Sequence, residues 1–212
     1  MAAIEENHIS VAKTARFFSL GDPNTAKHLL VVVHGYAQLP EFFIRKFAFL
    51  EEQGAYIVAP EGLHRFYCQG TSGRVGASWM TKEARSLDIS DNFNYLNELI
   101  TAIKNKYDFD SSSIIGFSQG GATVLRWLVQ SSIKWNKCLV WGCAFPMDLQ
   151  NEMTRIQSEK NFFVLGNKDE FFPPMQLKET MSLYQNEGFQ LFDFDGGHQI
   201  DAAVLQLILN YD

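Results

Sequence analysis

The chain has 212 residues, of which 46% are hydrophobic and 20% are charged, and its formal net charge is −6. This length fits a single α/β domain over residues 1–212, and the hydrophobic fraction is high enough for a large core and argues against global disorder. A nucleic-acid-binding protein needs a basic surface to neutralise phosphates. The negative net charge therefore argues against nucleic acid as a partner.

The cysteines and the N-terminal residues indicate the cellular compartment in which the protein is expected. The three cysteines have no paired spacing, which predicts free thiols in a reducing environment rather than a disulfide framework. Residues 1–10 include Glu5 and Glu6 and lack the apolar segment of a signal peptide. No stretch approaches the ~20 apolar residues of a membrane span. The sequence therefore predicts a soluble cytoplasmic protein with no membrane span.

Strands and helices are predicted in alternation along the chain. Loosely alternating apolar residues predict an edge strand over 8–18, and the continuous apolar run 28–33 is typical of a strand covered on both faces. Apolar runs predict further strands over 55–59, 113–115, 137–141, 162–165 and 189–194. Helical spacing predicts helices over 41–53, 88–107, 122–129, 173–185 and 200–210.

This alternation indicates an α/β fold with a doubly wound, mostly parallel sheet flanked by helices, because strands joined by helices pair through right-handed crossovers. In such sheets the ligand lies beyond the carboxyl ends of the strands. Between residues 61 and 87 the periodicity fails and glycines recur. Long irregular loops in compact domains are usually functional, so we expect an irregular loop segment near the active site.

A Gly-x-Ser-x-Gly motif occupies residues 116–120, between the predicted strand 113–115 and the predicted helix 122–129. This context favours a nucleophile elbow, in which the chain turns sharply and exposes the hydroxyl of Ser118 at the tip of a strand. The glycines leave the room that the turn needs. The alternative is a tight turn with a structural serine.

Two loops downstream of Ser118 carry the other groups that a catalytic serine needs. Asp169 follows one predicted strand and His198 follows the next, in the chain order serine, acid, histidine. The carboxylate would orient the imidazole, and the imidazole would take the proton of the serine. Glu170 and Asp195 are rival acids. Glu170 is adjacent to Asp169 and would point elsewhere, and Asp195 is too close to His198 in sequence.

A hydrolytic serine also needs donors for the oxyanion of its tetrahedral intermediate. The backbone N–H groups of Tyr36, after an early strand, and Gln119, after the serine, are the candidates. His34 is interpreted as bracing its loop by hydrogen bonding. The histidines are scattered and no Cys-x-x-Cys occurs, so we expect no metal.

These residues resemble a known family, the phospholipase/carboxylesterase group of α/β-hydrolases, which includes acyl-protein thioesterases and small bacterial carboxylesterases. The resemblance rests on the elbow 116–121, on His34-Gly35 upstream and on Gly197-His198 near the end. It implies the α/β-hydrolase fold and cofactor-free cleavage of esters or thioesters. It also implies a Ser118, Asp169 and His198 triad and an oxyanion hole from the main chains of Tyr36 and Gln119.

The loops at the pocket mouth depart from the thioesterases of this group. Tyr36-Ala37-Gln38 stands where those enzymes carry Leu-Gly-Asp, and the acid loop continues into Phe171 and Phe172 instead of Val-Pro. These changes favour a carboxylesterase that cleaves esters with short to medium acyl chains through an acyl-enzyme. The alternatives are acyl-protein thioesterase or lysophospholipase activity, and a catalytically silent binding module.

Aromatic residues near these loops are candidates for the substrate pocket, with core packing as the alternative. They are Trp79, Phe117, Phe171 and Phe172. Arg74 stands between two glycines and is interpreted as a solvated side chain, with contact to an anionic substrate as the alternative. The expected partner is a small-molecule ester or thioester, and both a monomer and a homodimer remain open.

Overall fold

A computed structural model of the chain describes residues 3–211. The strands are β1 (Phe17–Leu20), β2 (His28–Val33), β3 (Ala55–Pro60), β4 (His64–Gln69), β5 (Ser72–Ser78), β6 (Ser111–Phe117), β7 (Trp135–Trp141), β8 (Ser158–Gly166) and β9 (Gln190–Phe194). The α-helices are α1 (Pro40–Phe43), α2 (Arg85–Lys106), α3 (Gln119–Leu128), α4 (Pro174–Asn186) and α5 (Ala202–Leu209). No helix of this described part is long and apolar enough to cross a membrane.

Seven strands form one sheet in the order β1-β3-β2-β6-β7-β8-β9, and β4 and β5 form a separate hairpin. β1 runs antiparallel to β3, whereas the other neighbouring strands of the sheet run parallel. The carboxyl ends of the parallel strands therefore meet at one edge, together with the loops that follow them. This sheet, with its flanking helices, confirms the predicted α/β fold class.

Apolar side chains bury both faces of the sheet, because successive residues of a strand point to opposite sides. In β2, Leu29 and Val31 face a core layer that includes α2, α3 and α4. Leu30 and Val32 face the opposite layer, which includes α1 and α5. The continuous apolar run in β2 is explained by this burial on both sides.

The first predicted strand and the first predicted helix differ from the structure. Residues 3–16 have no regular secondary structure, and β1 covers only the end of the predicted strand 8–18. Its ladder starts where Phe17 faces Pro60, the last residue of β3, and one further backbone hydrogen bond follows, from the Glu61 N–H to the Arg16 carbonyl at 3.1 Å. The predicted helix 41–53 is the single turn α1 followed by a 3₁₀ helix, Ile44–Leu50.

The segment 61–87 is not the irregular loop that the sequence predicts, because it contains the β4–β5 hairpin and the start of α2. Gly70 and Gly73 adopt positive φ angles of 60° and 85° at the turn of this hairpin. Most side chains of β4 are exposed or half-buried, so the alternation that marks a strand with one covered face is weak. The hairpin packs on the loop after β2, where Ala77 pairs with Gln38.

Candidate active site

Ser118 lies between the end of β6 and the start of α3, and its backbone has φ 54° and ψ −122°. This combination is rare for a residue with a side chain, and two hydrogen bonds hold it in place. The Ser118 N–H donates to the Trp141 carbonyl at 2.8 Å, and its own carbonyl accepts from the Gly121 N–H at 2.9 Å. The strand-to-helix turn that the motif predicts is therefore present.

The two glycines of the motif are required by close backbone approaches. A Cβ on Gly116 would lie 2.6 Å from the Cα of Gly121, and a Cβ on Gly120 would lie 2.3 Å from the carbonyl oxygen of Val33. Both distances are far below van der Waals contact, so a larger residue would push α3 away from β6 or β2. The spacing of the motif thus reflects the packing of the first turn of α3 onto the sheet.

The structure brings Asp169 and His198 together. Asp169 follows β8 and His198 follows β9, and His198 Nδ1 donates to Asp169 Oδ2 at 2.7 Å. Their side chains are only 1% and 13% exposed, so this bond is shielded from water. The other carboxylate oxygen, Asp169 Oδ1, accepts from the Phe171 N–H at 3.0 Å. The rival acid Asp195 instead pairs with Lys168 at 2.6 Å.

Aromatic rings and a glycine surround the imidazole. The ring centroids of Phe117 and Phe171 lie 4.7 Å and 4.6 Å from that of His198. The glycine is Gly142, which follows β7 with a positive φ of 56° and approaches the imidazole closely. Within residues 3–211 the Ser118 hydroxyl makes no hydrogen bond to His198. Such bonds are often long in free enzymes and shorten when substrate binds.

Replacing Gly142 with alanine is expected to lower kcat/KM for an activated ester by about tenfold. The added Cβ would lie 3.1 Å from both Cε1 and Nδ1 of His198, so the imidazole must move by a few tenths of an ångström. The measurement is steady-state hydrolysis of a p-nitrophenyl ester by the variant and the parent protein.

Gly188→Ala is the matched control for this variant. Gly188 has a similar positive φ of 85°, but a Cβ added there would meet nothing within 4 Å. Both substitutions introduce the strain of alanine in the left-handed region, ~1–2 kcal/mol. Only Gly142→Ala is expected to lose activity. An equal loss in the two variants would assign the effect to reduced stability instead of a displaced imidazole.

The loop after β2 approaches the serine closely. A Cβ on Gly35 would lie 3.2 Å from the Cβ of Ser118, so a larger residue would push the loop and the serine apart by a few tenths of an ångström. The Gly35 N–H donates to Gln38 Oε1 at 2.8 Å, which fixes the turn of the loop. Within the described residues, the N–H groups of Tyr36 and Gln119 have no hydrogen-bond acceptor. Both candidate oxyanion donors are therefore free.

The β4–β5 hairpin packs on the loop after β2 and contacts it through hydrogen bonds and a ring stack. The Ala37 N–H donates to the Ala77 carbonyl at 2.9 Å, and Arg74 Nη2 donates to the Ala37 carbonyl at 2.9 Å. The ring of Phe66 stacks on that of Tyr36 at 5.1 Å. The sequence did not reveal these contacts. The recurring glycines were a partial signal, since a Cβ on Gly76 would lie 2.6 Å from the Ala37 carbonyl oxygen.

His34 is fully buried and braces its loop, as the sequence predicts. Its Nδ1 donates to the Gly35 carbonyl at 2.8 Å, and its Nε2 accepts from the Gly62 N–H at 3.0 Å. Burial lowers the pKa of His34 to about 4, so the ring is neutral at pH 7. The indole N–H of Trp79 donates to the His34 carbonyl at 2.8 Å.

The four aromatic pocket candidates divide into two pairs. Phe117 and Phe171 contact His198, as described above. Trp79 and Phe172 belong to the apolar core and are 0% and 6% exposed, which favours the alternative of core packing, and Phe117 is also buried, at 3%. The Trp79 backbone N–H also donates to Gln119 Oε1 at 3.0 Å, so this segment holds the start of α3.

Metal ligands are not clustered in the described part of the chain. Among residues 3–211, no group of three or more His, Cys, Asp or Glu side chains is arranged to hold a metal ion. The buried thiols of Cys138 and Cys143 have a pKa raised by desolvation, to about 12 and about 11 respectively, so they are protonated at pH 7.

The sheet order and the strained serine at the strand-to-helix elbow are those of an α/β-hydrolase. Comparison with family models then gives a more particular result. Residues 24–203 match the model described as serine hydrolase (FSH1). Because this match spans more than half of the chain, the protein belongs to that family of serine hydrolases. No curated protein matches the chain in sequence.

Solved structures of esterases and thioesterases share the fold. Acyl-protein thioesterase 2 of Zea mays matches with a TM-score of 0.71 and 13% identity, over 93% of this chain and 97% of that one. Esterase PE8 matches with a TM-score of 0.67 and 18% identity, over 92% and 96%. The Bacillus cereus carboxylesterase matches with a TM-score of 0.63 and 17% identity, over 92% and 91%. These likenesses show the fold that the resemblance noted in the sequence implies.

Proposed function

We propose that the protein hydrolyses carboxylic esters with short to medium acyl chains through an acyl-enzyme on Ser118. The observation that carries this proposal is the shielded 2.7 Å hydrogen bond between Asp169 and His198, on loops at the same sheet edge as the elbow serine. Such a bond holds the proton on Nδ1 and leaves Nε2 as a base. Its position after β8 and β9 is the one that the chain order of α/β-hydrolases requires.

The proposed reaction begins with attack of Ser118 Oγ on the acyl carbon of the ester. His198 Nε2 takes the hydroxyl proton as the new bond forms, and the buried carboxylate of Asp169 stabilises the resulting imidazolium. The N–H groups of Tyr36 and Gln119 donate to the oxyanion of the tetrahedral intermediate. The intermediate expels the alcohol, which receives the proton from His198.

Hydrolysis of the acyl-enzyme repeats these steps with water as the nucleophile. His198 Nε2 takes a proton from water, the hydroxide attacks the acyl carbon, and the same two N–H groups hold the second oxyanion. The ester bond to Ser118 then breaks, and Ser118 regains its proton as the carboxylic acid leaves. No step needs a metal or an organic cofactor.

A series of p-nitrophenyl esters from acetate to palmitate, with the matching thioesters, tests this proposal. We expect turnover of the oxygen esters, with the highest kcat/KM for short to medium acyl chains. A preference for long-chain thioesters would favour acyl-protein thioesterase activity, and a preference for long-chain oxygen esters would favour lysophospholipase activity. Failure of folded protein to turn over any member of either series would favour a silent binding module and overturn the proposal.

A further inference from the structure

A cavity of about 400 Å³ opens beside the loop that carries Tyr36. This volume lies within the range of small-molecule binding sites. Apolar side chains make up most of the lining, and one amide and two cations complete it. The lining residues are Gln38, Leu39, Phe42, Phe43, Lys46, Arg74 and Val75.

The cavity is adjacent to the catalytic groups without including them. Gln38 belongs to its lining and also accepts from the Gly35 N–H, next to the proposed oxyanion donor. Phe43 belongs to the lining, and its ring packs on Phe117 at 5.9 Å. Phe117 in turn contacts His198 at 4.7 Å. Phe117 itself is only 3% exposed, so one part of an ester bound at Ser118 would reach the cavity along the loop of Gly35 and Gln38.

The two cations of the cavity are available to a ligand. Lys46 has no hydrogen bond or ion pair with the described residues. The nearby carboxylate of Glu41 pairs with Arg45 at 3.8 Å instead. Arg74 uses Nη2 to hold the Ala37 carbonyl, and its remaining N–H groups are uncommitted.

The positive charge of this cavity contrasts with the rest of the molecule. The chain has a formal net charge of −6, so its overall field repels anions. The cavity lining contains Lys46 and Arg74 but no acidic side chain. Charge-assisted hydrogen bonds from lysine and arginine to a carboxylate are stronger than bonds between neutral groups. A carboxylate suits this site because its two oxygens can accept from the Lys46 ammonium and from the uncommitted N–H groups of Arg74.

We propose that this cavity is a subsite for a substrate that carries a carboxylate in addition to its ester. The methylene chain of the substrate packs against Leu39, Phe43 and Val75, and its carboxylate binds Lys46 and Arg74. These two residues determine specificity and take no part in the proton transfers. The inference rests on the proposed ester hydrolysis at Ser118, and it replaces the view of Arg74 as merely solvated.

Two p-nitrophenyl esters with the same acyl chain provide the test. One is the mono-p-nitrophenyl ester of adipic acid, which carries a free carboxylate, and the other is its neutral methyl ester. We expect the parent protein to hydrolyse the anionic ester with a kcat/KM about tenfold higher. The difference is expected in KM, and it should shrink as salt is added because ions screen exposed charges.

The Lys46→Met variant identifies the subsite. We expect the ratio of the two kcat/KM values to fall from about ten to about three, since the removed ammonium no longer attracts the carboxylate whereas Arg74 still does. Lys134→Met is the matched control, because Lys134 is exposed and lies just before β7. It is therefore at the amino ends of the parallel strands, away from the cavity. This control removes the same charge and should keep the ratio of the parent protein.

The outcomes separate the two proposals. Turnover of both esters with a ratio near one in the parent protein would overturn the carboxylate subsite and leave the hydrolase proposal intact. An elevated ratio that Lys46→Met and Lys134→Met lower equally would also overturn it, since the effect would then come from net charge. Absence of turnover of either ester would instead overturn the proposed function itself.

Discussion

Replacing Ser118 with alanine is expected to lower kcat/KM for an activated ester by on the order of 10⁴-fold or more, because the nucleophile is lost. The fold is expected to survive, since the hydroxyl makes no hydrogen bond within residues 3–211 and its loss removes little packing. The free energy of unfolding should therefore change by less than about 0.5 kcal/mol. Ester hydrolysis and a thermal melt of the same preparation are the measurements.

Labelling with a fluorophosphonate reagent is a second test of Ser118 as the nucleophile. Mass spectrometry of the labelled parent protein should locate the adduct on Ser118, and the label should be absent from the alanine variant. Ser132→Ala is a suitable control, because Ser132 is exposed in the loop before β7. Ester turnover that persists in the alanine variant would show that another group is the nucleophile.

The strained backbone at residue 118 allows a further comparison. With φ 54° and ψ −122°, this position suits glycine better than alanine. Ser118→Gly is therefore expected to be as inactive as Ser118→Ala but more stable by roughly 1 kcal/mol. Equal stability of the two variants would mean that the elbow is not strained in solution.

Replacing Asp169 with asparagine is expected to lower kcat by on the order of 10⁴-fold, although the two side chains have nearly the same shape. The reason lies in the two hydrogen bonds that the Asp169 carboxylate accepts. Oδ1 accepts from the Phe171 N–H, so the amide oxygen of an asparagine must take that place. Its NH₂ group then faces His198 Nδ1 and donates to it. The proton of the imidazole moves to Nε2, which can no longer act as a base.

Asp195→Asn is the control for the acid, because Asp195 is the rival carboxylate in the chain and is exposed beside Lys168. We expect its kcat to stay within about twofold of the parent value, as for most surface substitutions away from a site. Ester hydrolysis at saturating substrate measures both variants. A large loss in Asp195→Asn with little loss in Asp169→Asn would exchange the roles of the two acids.

The hairpin shows why some of the site was absent from the sequence prediction. Its contact with the loop after β2 joins Arg74 to Ala37, 37 residues earlier in the chain. A periodic pattern reports which side of an element is covered, but it does not report which distant element covers it. The cavity and its two cations arise from this packing, since Lys46 comes from the segment after α1 and Arg74 from β5.

The sequence by itself determined the alternation of strands and helices outside the segment 61–87, the elbow, and the loops that carry Asp169 and His198. These features are local, because a strand, the loop after it and the glycines of a turn are each encoded by adjacent residues. The parallel sheet then brings those loops to one edge whatever their separation in the chain. The tertiary structure alone decided that Trp79 packs inside, that the hairpin holds the loop after β2, and that Lys46 and Arg74 share one cavity. Those contacts depend on which distant segments pack together, and this packing is determined by the fit of side chains across the whole fold.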